Sequence, residues 1–249
     1  MKRWLLAMLS VLMVVAILGA TGCQPKDKTL VVGTSADYEP FEYLDEAGGF
    51  TGFDVELMEE IGDRLGMEIE WQDIAFDGLI GSLQTDKIDA IIAAMSATPE
   101  REEQVDFTDP YFIGADAIIV AEGSAITINK NEDLAGLKVG VQTGTIQESW
   151  IDENIAAEVS RYERAEQAIM DLKSGRIEAV AMDYYAAQAF IDQGGITLAL
   201  KTEFAGEHMA IAVKEGNTEL RDQLDDVIDE LQAEGFVENL ALKYLSGGD

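Results

Sequence analysis

Hydrophobic and polar positions along this chain switch repeatedly between a two-residue and a 3.6-residue period. A short apolar run, LVVGT at 30–34, predicts a strand that opens into a polar loop. Over 54–66, Leu57, Met58, Ile61 and Leu65 share one face, Asp54 stands as the cap and Gly66 as the stop, which predicts a helix. MEIEW, 67–71, alternates as a strand. Phe76 to Thr85 predicts a second helix, with Asp77 near its start and Leu79, Ile80 and Leu83 inward. IDAIIAAM, 88–95, is apolar and predicts a buried strand. The cycle returns with a strand at 137–141 (LKVGV), a helix at 164–174 and a strand at 176–182 (RIEAVAM), followed by a helix over 184–192. The end differs: a strand at 209–213, then helices from Asn217 to Ala233 and over 236–245. Strands alternating with helices imply parallel pairing and an α/β fold. LQTDKIDAII, from Leu83, and LKSGRIEAVA, from Leu172, echo each other and suggest two sheets on one plan, hence two lobes. A chance likeness of two helix-to-strand turns is the simpler alternative.

The first 22 residues follow another pattern. A basic start, MKRW, precedes an uncharged apolar run over 5–20 that ends at ATGC. The run is short for a span of about 20 residues and reads as a secretory signal; an uncleaved anchor is the alternative. Cys23, the sole cysteine, stands where cleavage would expose it. This resembles a bacterial lipoprotein signal, with Cys23 becoming the acylated N-terminus and 23–28 a polar tether. Ala20 departs from that pattern, where leucine is usual, and the residues before Cys23 also fit an ordinary cleavage site. With one cysteine, an exported chain has no internal disulfide.

The net charge is −31, with 26% charged and 47% hydrophobic residues. Nucleic acid and anionic headgroups are therefore poor partners. Solubility and attraction of cationic solutes both account for the acidity.

In an open α/β sheet, ligands sit beyond the carboxyl ends of the strands. The segments there are SADYEPFEY, DIAFDG, SATPER, QTGTIQ and DYY. Together they supply a cation, carboxylates, aromatics, hydroxyls and helix starts, a set that suits a zwitterion with a side chain. Thr98 predicts an N-cap and Pro99 a first helical residue, so Arg101 falls where a capping box wants Glu or Gln. Binding a carboxylate through its two-pronged guanidinium would explain it; a surface pair with Glu102 or Asp106 would too. Gly144 and Thr145 fit an anion cradle or a plain turn. Asp183 fits an ammonium acceptor, an N-cap, or both. Tyr38 and Phe76 fit ligand walls or lobe core.

GTSADYEPFEY, GFDVELMEEIGDRLG, FDGLIGSLQTDKIDA, MSATPER with VDFTDPY, LKVGVQTGT and the acid at 183 occur in this order. The combination resembles the polar amino-acid-binding extracytoplasmic solute-binding proteins (family 3 type) that serve ABC importers, over roughly 30–245. The resemblance implies a type II periplasmic-binding-protein-like fold: two α/β sandwich lobes joined by two crossing strands, near Tyr111–Ala115 and Ala205–Met209. Lobe one would be 29–112 plus 210–249, and lobe two 113–209. It implies that Arg101 takes the ligand carboxylate, helped by backbone at Ser96 and Thr145. Asp183 and the carbonyl of Ala94 would take the ammonium, with Tyr38, Phe76, Gln142 and Ser35 around the side chain. Members that bind basic amino acids often carry aspartate where Ser35 stands; Asp37, Glu39 or Asp77 would have to compensate. The implied ligand is arginine, lysine or glutamine, and the partner an ABC permease. No cofactor, metal or catalytic residue is expected, and the chain is expected to be a monomer anchored to the membrane through Cys23. The rival reading is an enzyme of the same fold, similar to cyclohexadienyl dehydratases, or a sensory binding protein. His208, the only histidine, falls at the second crossing rather than after a cleft strand.

Overall fold

Two five-stranded sheets organise the chain in the computed structural model, which describes residues 28–206 and 208–246. The expected signal sequence and Cys23 lie outside the described residues. Lys28, expected in the tether, is the first residue of a strand.

In chain order, β1 (Lys28–Thr34) is followed by a small antiparallel meander of β2 (Asp37–Tyr38), β3 (Glu42–Leu44) and β4 (Phe50–Thr51). Then come α1 (Phe53–Leu65), β5 (Met67–Asp73), α2 (Leu79–Gln84), β6 (Ala90–Ile91), α3 (Pro99–Glu102) and β7 (Val105–Phe107). A crossing strand, β8 (Phe112–Ile113), leads to the second sheet: β9 (Asp116–Ala121), β10 (Lys138–Gln142), α4 (Ile146–Asn154), β11 (Glu158–Tyr162), α5 (Ala165–Lys173), β12 (Ala179–Asp183), α6 (Tyr184–Asp192) and β13 (Ile196–Thr202). The return crossing, β14 (His208–Met209), pairs antiparallel with β8. The chain then completes the first lobe with β15 (Ala212–Lys214), α7 (Thr218–Ala233) and α8 (Phe236–Tyr244).

The first sheet runs β5-β1-β6-β15-β7 and the second β11-β10-β12-β9-β13. Their first three strands are parallel, as the strand–helix alternation predicts. The other two in each sheet run antiparallel to their neighbours, which corrects the expectation of parallel pairing. Strands β9 and β15 enter their sheets straight from a crossing, without a βαβ crossover, and are free to run in reverse; β13 and β7 then pair antiparallel to them. The hydrophobic pattern does not mark β7, β9, β11 or β13.

Two long apolar runs turn out to be apolar because they are buried, not because they are strands throughout. Of 88–95 only Ala90–Ile91 pairs in the sheet, and Ala94 turns away with φ 46°. Met209–Val213 splits into β14 and β15, with Ala210 donating to the Met95 carbonyl (3.0 Å) between them.

The predicted face of α1 is correct: Leu57, Met58 and Ile61 are fully buried and pack with Phe41, Phe53, Leu224, Ile228 and Leu231. Its cap is not. Gly52 holds the N-cap position with φ 128°, and a Cβ there would lie 2.2 Å from the Phe41 carbonyl oxygen. Asp54 sits inside the first turn instead, with no exposed surface. Gly66 ends the helix in the left-handed conformation, φ 66°, as its sequence position implies.

Candidate functional site

All nine side chains or backbone positions singled out in the sequence line one cavity between the two sheets. Ser35, Tyr38, Phe76, Ala94, Ser96 and Arg101 come from the first lobe; Gln142, Thr145 and Asp183 come from the second. About 380 Å³ is free of protein atoms, part of it open to solvent. The strands explain the convergence, since β1, β10 and β12 each end at the cavity.

Arg101 is not a surface arginine. It is 8% exposed; its Nη1 donates to the Ser96 carbonyl (2.5 Å) and its Nη2 to the Gly144 carbonyl across the cleft (2.9 Å). Its guanidinium carbon lies 5.4 Å from the centre of the Phe76 ring, so Phe76 is a wall for the arginine as well as for the cavity. Thr98 caps α3 as predicted, accepting from the Arg101 N–H at 3.3 Å, with Pro99 first in the helix. The helix has four residues, too few for much dipole, so the anion attraction here rests on the guanidinium.

The QTGT turn is held largely by itself. Gly144 has φ 82°, and its N–H donates to Glu148 Oε2 (2.6 Å), which removes that N–H from an anion cradle. Thr145 Oγ1 caps α4 by accepting from the Glu148 N–H (3.3 Å) and donates to the Gln142 carbonyl (2.8 Å). Gln142 Nε2 reaches the Glu163 carbonyl at 3.3 Å. Asp183 is the N-cap of α6: its Oδ1 accepts from the N–H groups of Tyr185 (2.7 Å) and Ala186 (2.9 Å). The Asp183 N–H donates to the Tyr38 hydroxyl across the cleft at 3.0 Å.

Asp37 does not serve as a spare acid for a ligand. Its Oδ1 accepts from Arg164 (3.1 Å) and from the Ser35 hydroxyl (2.9 Å), and its Oδ2 from the Ala165 N–H (2.8 Å). Arg164, in the second lobe, also reaches Asp73 (2.9 Å) and Ser35 (3.3 Å) in the first. Asp77 is exposed, and Glu39 lies in a separate groove beside Tyr185 and Tyr244.

The acid that does face the cavity is Glu42, on β3, which the sequence reading passed over. It is 1% exposed, and among the described residues neither carboxylate oxygen accepts from a donor other than the Asp54 carboxyl. Burial raises its pKa well above the usual carboxylate range, and Asp54 and Asp37 add to this by repulsion. Behind it, Asp54 Oδ2 accepts from the Ala94 N–H (2.6 Å) and the Tyr111 hydroxyl (2.8 Å), and burial pushes its pKa up to about 7. The available signal was an acid held between Phe41 and Tyr43 in a segment already marked for the cleft. Arg164, at the turn before α5, carried no such signal. Among the described residues no group of three or more His, Cys, Asp or Glu is placed to hold a metal ion.

The family profile described as "Bacterial extracellular solute-binding proteins, family 3" matches residues 30–247. The arginine-binding extracellular protein ArtP of Bacillus subtilis (strain 168) is 34% identical, with 99% of each chain covered. The L-cystine-binding protein TcyJ of Escherichia coli (strain K12) is 34% identical over 87% of this chain and 82% of its own. A solved structure of an ancestral arginine-binding protein bound to arginine superposes with a TM-score of 0.83 at 38% identity, covering 88% of this chain and 99% of that one. With a matching profile over most of its length and relatives matched nearly end to end, the chain belongs to the bacterial extracellular solute-binding proteins of family 3.

Proposed function

We propose that this protein captures one polar amino acid between its lobes outside the cytoplasm and presents it to an ABC permease, with arginine favoured over lysine and glutamine. The observation that carries the reading is the charge set of one cavity: a buried guanidinium, Arg101, with two buried acids, Asp183 and Glu42. That set complements an α-carboxylate, an α-ammonium and a cationic side chain. Arg101 takes the carboxylate, Asp183 and the Ala94 carbonyl the ammonium, and Tyr38 and Phe76 flank the side chain. Ser96 and Thr145 assist at the carboxylate end; Ser35 and Gln142 border the side chain. Glu42 supplies the negative charge that Ser35 lacks. Relatives named for arginine binding support the same ligand. They are binding proteins rather than enzymes, and His208 lies in β14, outside the cavity lining.

The lobes are taken as 29–112 plus 210–249 and 113–209, acting as a monomer. Cleavage after residue 22 and acylation of Cys23 would tether the protein to the cell membrane through 23–28. Mass spectrometry of the mature protein tests this: an acylated Cys23 is expected, and an unmodified N-terminus would remove the anchor.

Thermal shifts of ligand-stripped protein against the twenty amino acids test the binding role. A ligand at about one hundred times its Kd adds about 2.7 kcal/mol. For a chain of this size that raises the midpoint by roughly 5 to 10 °C. Arginine should give the largest rise; no rise with any amino acid would reject the reading.

Closure explains the Arg164 contacts, since full contact with ligand requires both lobes. Arg164→Ala is expected to weaken binding about fivefold to thirtyfold by disfavouring the closed form. The loss should be similar for every ligand and smaller at high salt. A change confined to one ligand would instead place Arg164 in the recognition of side chains.

A further inference from the structure

We propose that capture of a positively charged amino acid expels a proton from the Glu42–Asp54 pair, so that binding of arginine, but not of its uncharged analogue citrulline, depends on pH. The inference rests on the reading above and adds the ligand group that meets Glu42 and the ion that leaves.

The argument begins with solvation. Glu42 has 1% and Asp54 no exposed surface, so bulk solvent does little to stabilise a charge on either. Both oxygens of Glu42, and Oδ1 of Asp54, accept from no donor among the described residues other than each other's carboxyl. An ionised carboxylate in such a place is strongly disfavoured, and the usual escape is to take up a proton.

The surroundings add little relief. Facing Glu42 are Asp54 from α1, Asp37 from β2, Asp183 from the end of β12, and the Tyr111 hydroxyl before β8. The cation in the same cavity lining is Arg101, on α3, which is engaged with the carbonyls of Ser96 and Gly144. Arg164 is shared between Asp37 and Asp73 and offsets one of their two charges. Acids therefore outnumber cations around Glu42, and two adjacent buried acids hold a shared proton most stably.

Asp54 is less suited to carry that proton outward. Its Oδ2 is fixed by the Ala94 N–H and the Tyr111 hydroxyl, both donors that favour its ionised form. Glu42 is the member that lines the cavity. A guanidinium or ammonium entering beside it supplies the missing donors and the missing charge. The Glu42 O–H bond then breaks heterolytically, the electron pair stays on the carboxylate, and the proton passes to solvent. A neutral amide end needs no such exchange, because protonated Glu42 can donate a hydrogen bond to it.

The sign follows from linkage. Low pH keeps the proton on Glu42, so arginine must displace it and binds more weakly. As pH rises towards the titration of the empty site, affinity improves and then levels off. Isothermal titration of L-arginine in buffers of different ionisation enthalpy should report about one proton released per ligand, with Kd falling about tenfold per pH unit below the titration of the empty site. L-Citrulline should bind with no proton released and a nearly flat profile. In Glu42→Gln both the release and the slope with arginine should vanish. Arginine binding without proton release overturns the proposal and leaves the functional reading standing, as does release that persists in Glu42→Gln. Should no amino acid bind, both fall together. The two-ligand comparison on the unaltered protein decides the matter even if the variant folds poorly.

Discussion

Arg101→Ala is expected to weaken binding of every amino acid ligand on the order of a hundredfold to a thousandfold, because truncating one partner of a buried charged pair costs about 2–5 kcal/mol. The α-carboxylate is common to all candidate ligands, so the loss should be nearly uniform across them. The alanine also removes donors from the carbonyls of Ser96 and Gly144, which Arg101 bridges across the cleft. Arg101→Lys should recover little, since an ammonium cannot bond a carboxylate and two carbonyls with the fork that guanidinium offers. Calorimetric Kd values, with circular dichroism to verify folding, measure this. A folded alanine variant within threefold of the parent would remove Arg101 from the carboxylate role.

Gly52→Ala is expected to destabilise the fold by about 3 kcal/mol or more, since a residue forced into a region open almost only to glycine meets a steric clash as well. The Cβ would lie 2.2 Å from the Phe41 oxygen, 2.6 Å from its carbon and 2.9 Å from the Pro40 oxygen, all backbone atoms. They cannot retreat cheaply. The Phe53 N–H bonds the Pro40 carbonyl and the Asp54 N–H the Phe41 carbonyl, each at 2.9 Å, and the Phe41 ring is fully buried among Tyr38, Phe53, Phe112 and Tyr185. Urea denaturation monitored by fluorescence tests it; a loss under about 1 kcal/mol would mean that the segment yields. Ligand affinity should fall too, because Glu42 and Asp54 flank this junction.

What the sequence disclosed and withheld has physical reasons. Amphipathic helices repeat a local signal, so α1, α5 and α7 were legible to within a residue or two. The cavity residues were legible because the ends of parallel strands converge. Burial and strand pairing were confused where both give apolar runs, as at Ile92 to Met95, since periodicity cannot separate them. Strand β9 owes its direction to a crossing and β13 to its pairing with β9, and both are non-local. Asp54 looked like a cap because caps and buried acids use the same residue; only the approach of Ala94 and Tyr111 distinguishes them. Arg164 depends on partners far away in sequence, and Glu42 on a burial that its own segment does not reveal.

A carrier must also let go. Arg164 to Asp37 and Asp73, Tyr38 to Asp183 and Arg101 to Gly144 are bonds that the protein makes with itself across the cleft. Each one slows dissociation, so a permease that accepts the closed form has to supply the work of parting them before the cargo moves on. Tighter latching would lengthen residence and throttle delivery, and stickier is not better for uptake. The Asp73 side chain is 36% exposed, which leaves part of the latch open to screening by external salt. Unloading should therefore quicken as the medium grows saltier, at the expense of grip.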